Sequence, residues 1–77
     1  METITNWVSN SDHIDLTALG HLTFGGNTSS VHPYTVEWYV SGGNTYIVGD
    51  ALGHNKADFM IELLGVHPLT SSSFWLH

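Results

Sequence analysis

Tyr34-Thr-Val-Glu-Trp-Tyr-Val40, Ser41-Gly-Gly-Asn44, Thr45-Tyr-Ile-Val48 and, past a polar Gly/Asn loop, Ala57-Asp-Phe-Met-Ile-Glu-Leu-Leu64 read as three strands joined by two turns. In the first run Tyr34, Val36, Trp38 and Val40 fall on one face, with Thr35, Glu37, Tyr39 and Ser41 on the other. That period of two lets a strand bury one side and wet the other. Gly42-Gly43 suits a tight hairpin, because the central residues of the favoured two-residue turns need positive φ, which glycine reaches without a steric clash. In the third run Phe59, Ile61 and Leu63 make the apolar face, with Glu62 opposite. The expectation is an all-β, β-dominated domain built on an antiparallel meander.

Outward from this centre the elements are short. Residues 2–8 alternate Ile4, Asn6 and Val8 against Thr3, Thr5 and Trp7, which predicts a strand. Ser9-Asn-Ser-Asp12 has turn composition, since short polar side chains bond their own backbone. His13-Ile-Asp-Leu16 predicts a second strand, giving a short N-terminal strand pair. Thr17-Ala-Leu-Gly20 predicts one helical turn stopped by glycine. Phe24 to Pro33, rich in Gly, Asn, Thr and Ser, reads as a loop. After the meander come a turn at Gly65-Val-His-Pro-Leu69, a bend or helical turn at Thr70-Ser-Ser-Ser73 and a hydrophobic hook, Phe74-Trp-Leu76.

The 77 residues make a single small domain, 1–77, and a chain of this size buries only roughly 60% of its unfolded surface. Without cysteine, neither disulfides nor thiolate metal sites can supplement that core. Calcium, a partner surface or self-association remain as supplements. Seven acidic residues against a single lysine give a formal charge of −6, which repels phosphate backbones and anionic lipid. No nucleic-acid partner is expected. No apolar run approaches the ~20 residues of a membrane span, and Met1-Glu-Thr-Ile-Thr5 lacks the basic start and apolar core of a cleaved signal peptide.

Four stretches, in order, carry a resemblance. Thr3-Ile-Thr-Asn-Trp7 with Asp12-His-Ile-Asp-Leu-Thr-Ala-Leu-Gly20, then Gly42-Gly-Asn-Thr-Tyr-Ile-Val48, then Asp50-Ala-Leu-Gly-His-Asn-Lys-Ala-Asp58, and finally the run from Phe59 to Leu76 resemble the C-terminal module of RTX (serralysin-type, hemolysin-type calcium-binding) secreted bacterial proteins. The match spans nearly the whole chain. It implies a β-rich cap on the end of a calcium β-roll and an uncleaved export signal read by a type I ABC exporter. The implied location is extracellular, with the cytoplasm as the alternative that the missing leader leaves open. It also implies no catalysis by this module, and neither the zinc-binding His-Glu-x-x-His run nor a glycine- and aspartate-rich nonapeptide of the roll occurs here.

The loop Asp50–Asp58 is the candidate metal site. A calcium loop needs oxygen ligands at alternating positions and a glycine at its sharp turn. Asp50, Asp58 and Gly53 match the family's loop, but Leu52 and His54 stand where it has ligands, and Asn55 replaces its second glycine. The alternatives are a degenerate calcium site at Asp50 and Asp58, or a plain loop that kept its shape, with Asn55 able to take the left-handed conformation. Of Asp12 and Asp15, one is expected to accept backbone N–H groups at a turn or at the following helical turn, with metal ligation as the alternative. No pair of the six histidines stands at i, i+2 or i, i+4, the spacings that preform a metal site on one element. No Gly-x-Ser-x-Gly elbow frames a hydrolytic triad. The tryptophans and tyrosines read either as core or as a sugar-stacking face. Ser73, where the family has Asp, and the terminal His77 depart from the export pattern. Two functions stand beside each other: a non-catalytic cap and secretion module, partnered by an upstream roll or its own copy, and a free-standing β protein that binds or self-associates. An initiating Met at this length fits the second.

Overall fold

The computed structural model describes residues 2–8 and 12–76. Among these described residues seven strands follow in chain order: β1 Glu2–Ile4, β2 Ile14–Asp15, β3 Thr23–Asn27, β4 Thr35–Ser41, β5 Asn44–Gly49, β6 Phe59–Leu63 and β7 Phe74–Trp75. Single 3₁₀ turns occupy Thr17–Leu19 and Ser71–Ser73. The chain is all-β.

The meander stands where the sequence places it. Strands β4 and β5 pair antiparallel around Gly42-Gly43, with Ser41 opposite Asn44, and β5 pairs antiparallel with β6. Gly42 and Gly43 have φ of 59° and 81°, the left-handed pair that a two-residue hairpin demands. The helical turn at residues 17–19 ends on Gly20 at φ 98°, and the one at 71–73 is closed by a reciprocal Thr70–Ser73 capping box.

The periphery departs from expectation. Strand β3 replaces the loop assigned from residue 24 onward: Thr23–Asn27 pairs parallel with β4, with a bulge between Phe24 and Gly26. The N-terminal strand pair does not form. Strand β1 stops at Ile4 and pairs parallel with β6, while β2 pairs parallel with β7. The result is a five-stranded mixed sheet in the order β1-β6-β5-β4-β3 beside a two-stranded sheet, β2-β7. The turn expected at residues 9–12 lies largely outside the described residues; Asp12 accepts the Val8 N–H at 2.8 Å.

One face of the large sheet carries the core. Val36, Trp38, Ile47 and Leu63 pack with Leu22, Leu69, Phe74, Ile14, Leu16 and Trp7. Trp7 is buried in the core, Val8 is exposed, and extended pairing ends at Ile4. The face assignment of β4 also needs correction. Tyr34 precedes the strand, lies 53% exposed and holds a φ of 58°, whereas Glu37, expected in water, is fully buried. Burial follows from β3: the Glu37 carboxyl lies against Gly25, so close that a Cβ there would stand 2.6 Å from its Cδ. Thr35 donates its hydroxyl to Glu37 Oε2, and His32 Nδ1 lies 3.6 Å from the same oxygen. Glu37 Oε1 has no hydrogen-bond partner.

Candidate functional site

The loop from Asp50 to Asp58 joins β5 to β6 and is built from two carboxylates facing inward. Asp50, fully buried, accepts the N–H groups of Leu52 (2.9 Å) and Gly53 (2.7 Å) on Oδ1 and that of Asn55 (2.7 Å) on Oδ2. Asp58 accepts Ala51 (2.7 Å) and Leu52 (2.9 Å) on Oδ2, and its Oδ1 lies 2.8 Å from His54 Nε2. Gly53 at φ 79° and Asn55 at φ 62° supply the left-handed turns that aim these N–H groups inward. Asp50 N–H donates to Thr35 O, and Asp58 N–H to Gly49 O, so both ends are tied to the sheet. Burial works against the charge on Asp50, but the N–H groups of Gly53, Leu52 and Asn55, with the nearby His54 ring, outweigh it. Its carboxyl is held below the ordinary value.

Asp50, His54 and Asp58 bring one ligand atom each to within 4.8 Å of one another, the one such group among the described residues. Its chemistry does not suit calcium. Each of the four carboxylate oxygens already accepts a donor, and the inward N–H dipoles put positive charge where a cation would rest. Leu52 and His54, at positions where ligand oxygens are needed, are exposed. The donor set makes a polar knot.

Asp15 holds the next turn, accepting both N–H (3.0 Å) and hydroxyl (2.6 Å) of Thr17. The Thr17 hydroxyl, then its N–H, keep the Asp15 carboxyl below the usual range. Of the aromatic residues, Trp7 and Trp38 belong to the core, while Trp75 is 54% exposed and stacks on His13, with centroids 5.4 Å apart. A groove of about 400 Å³ lies between the start of β3 and β7, lined by Leu22, Phe24, Phe74, Trp75 and Leu76 with the hydroxyls of Thr23 and Ser71. His77 lies outside the described residues.

A second constellation escaped the sequence reading. Thr3, Glu62, Tyr46 and Tyr39 stand in one cross-strand row over β1, β6, β5 and β4, on the sheet face away from the core. The two-residue turn carries the signal: once Ser41 faces Asn44, Tyr39 must face Tyr46.

Comparison with known proteins returned no matching family model and no matching curated protein. The assignment of function therefore rests on the residues themselves.

Proposed function

We propose that this chain is a non-catalytic module that caps the calcium β-roll of an RTX-like, type I-secreted exoprotein. The observation that carries the reading is the coincidence of the ordered motifs with structural units. Gly42-Gly43 forms the hairpin, Asp50–Asp58 forms the whole β5–β6 connection, and Phe59–Leu76 supplies β6, a 3₁₀ turn and β7. Parallel pairing of both outer strands of the large sheet suits a neighbour whose own strands run in one direction. The uncharged β3 edge and the adjoining groove of Leu22, Phe24, Phe74 and Leu76 offer an apolar surface for the last coil to cover.

In this reading the module works by packing alone: it covers strand edges that would otherwise pair with other chains, and its C-terminal run addresses the exporter. Catalysis lies elsewhere in the parent protein. The test is export of a roll-bearing passenger from cells carrying a type I exporter, with and without residues 1–77 at its C-terminus. Accumulation in the medium only with the module supports the reading; equal export without it overturns the export role.

The same free β3 edge favours a second reading, a free-standing β protein that pairs with its own copy. Solution mass separates the two, because self-pairing gives a dimer that dilution dissociates.

A further inference from the structure

We propose that the open face of the five-stranded sheet binds an arginine side chain of a partner polypeptide, on the row formed by Tyr39, Tyr46 and Glu62. The hydrophobic cluster packs on one side of this sheet, and on the other side burial is confined to the neighbouring Glu37–Val48 pair. On the other, Thr3, Glu62, Tyr46 and Tyr39 line up across four strands, a row of about 14 Å at the ordinary strand spacing. The Tyr39 and Tyr46 rings stack with centroids 5.5 Å apart at 25° and are partly buried, so they keep part of their π surface in contact with solvent.

Glu62 lies at the end of that aromatic pair. Its Oε2 accepts the Tyr46 hydroxyl at 3.0 Å and Asn44 Nδ2 at 3.4 Å, and its Oε1 accepts the Thr3 hydroxyl at 3.2 Å. All three donors are neutral, and a carboxylate offers about four acceptor positions, so one remains. The donors fix the carboxylate in place without neutralising it. A fixed carboxylate beside stacked rings matches a guanidinium, which is planar, lies flat on aromatic faces and points its N–H fork at a carboxylate. In the next row the partly exposed Met60, paired with the buried Val48, provides apolar surface for the methylene stem.

Charge decides what occupies the face. The chain has no arginine and a single lysine, Lys56, in the loop beyond the Gly49–Phe59 end of the ladder. Among the described residues the only ion pairs are His32–Glu37 and His54–Asp58, neither on this row. A second copy, equally acidic and without arginine, cannot supply the guanidinium, so the cation comes from another polypeptide. This inference concerns the face opposite the core and stands apart from the capping role.

The test is a ¹H–¹⁵N titration of the intact chain with tri-arginine, and tri-lysine for comparison, at low salt. The expected result is saturable shifts at Tyr39, Asn44, Tyr46 and Glu62, with tri-lysine markedly weaker. Glu62→Gln weakens tri-arginine binding about tenfold or more, and Asp15→Asn, which removes the same charge from the small sheet, leaves it unchanged. Should Glu62→Gln fail to fold, Tyr39→Leu, which keeps the carboxylate and removes a ring, must weaken tri-arginine more than tri-lysine. Equal binding of the two peptides with shifts spread over all acidic surfaces, or full affinity in the folded variants, overturns the proposal.

Discussion

Asp50 and Asp58 share one backbone N–H: that of Leu52 lies 2.9 Å from an oxygen of each. A shared donor couples the two carboxylates, so each holds the turn that the other needs. Calcium would have to displace these N–H groups. Millimolar calcium is therefore expected to leave the melting temperature unchanged, as read by circular dichroism; a concentration-dependent rise would show that an ion replaces the knot.

Acid should loosen the same loop. The Asp50 carboxyl lies below its ordinary 3.8 in the folded chain, and Asp15 shifts in the same direction. A depressed folded value contributes stability that is present above the unfolded pKa and lost as pH falls through the folded one. Thermal melts should hold near-constant down to about 3.8 and then fall. Asp50→Asn, which cannot titrate, should begin less stable and show a flatter acid limb. Parallel limbs for both proteins would contradict the assignment.

Alkali should act on the opposite face. Tyr46 donates to Glu62, which raises its phenol above 10.0, with burial adding to the effect. A folded value raised above the unfolded one gives stability that is complete below the unfolded pKa and lost as pH rises through the folded pKa. Tyr46→Phe should therefore narrow its deficit against the parent as pH climbs past 10. A constant deficit across that range would sink the claim.

Thr45 is a buried bridge: its hydroxyl donates to Gly65 O and accepts the His67 N–H, both at 2.9 Å. Thr45→Val keeps the shape and strands both backbone groups. The expected loss is about 1–3 kcal/mol, or roughly 4–8 °C in melting temperature per kcal/mol at this size. A loss below a few tenths of that would mean that water reaches both groups.

Gly25 and Glu37 form the remaining test of the periphery. Gly25→Ala forces the buried carboxyl aside, and overpacking of this kind costs about 1–3 kcal/mol. Combined with Glu37→Ala the penalty should shrink, since the clashing group is gone; simple additivity would show that β3 does not rest on Glu37.

The contrast between Gly42-Gly43 and Gly25-Gly26 explains what could be read in advance. Both pairs carry turn composition. The first lies between alternating runs whose own pattern sets the register, so the hairpin was legible from local chemistry. The second belongs to a strand, because its partner β4 is brought alongside by tertiary packing and Gly25 makes room for the carboxyl of Glu37, twelve positions downstream in that partner. All three parallel pairings are of this kind: each joins segments distant in sequence, with no turn to announce it. Glu37 was misassigned for the same reason, since alternation describes one strand and says nothing of what covers it. In the loop, the positions of Asp50, Gly53, Asn55 and Asp58 were legible through the resemblance to the family's loop, whereas the direction of their donors was not. That direction depends on φ at Gly53 and Asn55 and on the burial of Asp50.

The proposed capping role is tested most directly by calcium-induced folding of a glycine- and aspartate-rich roll, followed by circular dichroism, with and without this chain fused to its C-terminal end. The account predicts that the fusion folds at lower calcium and melts at higher temperature than the bare roll, while the module's own melt ignores calcium. Identical calcium midpoints for the two rolls would contradict it.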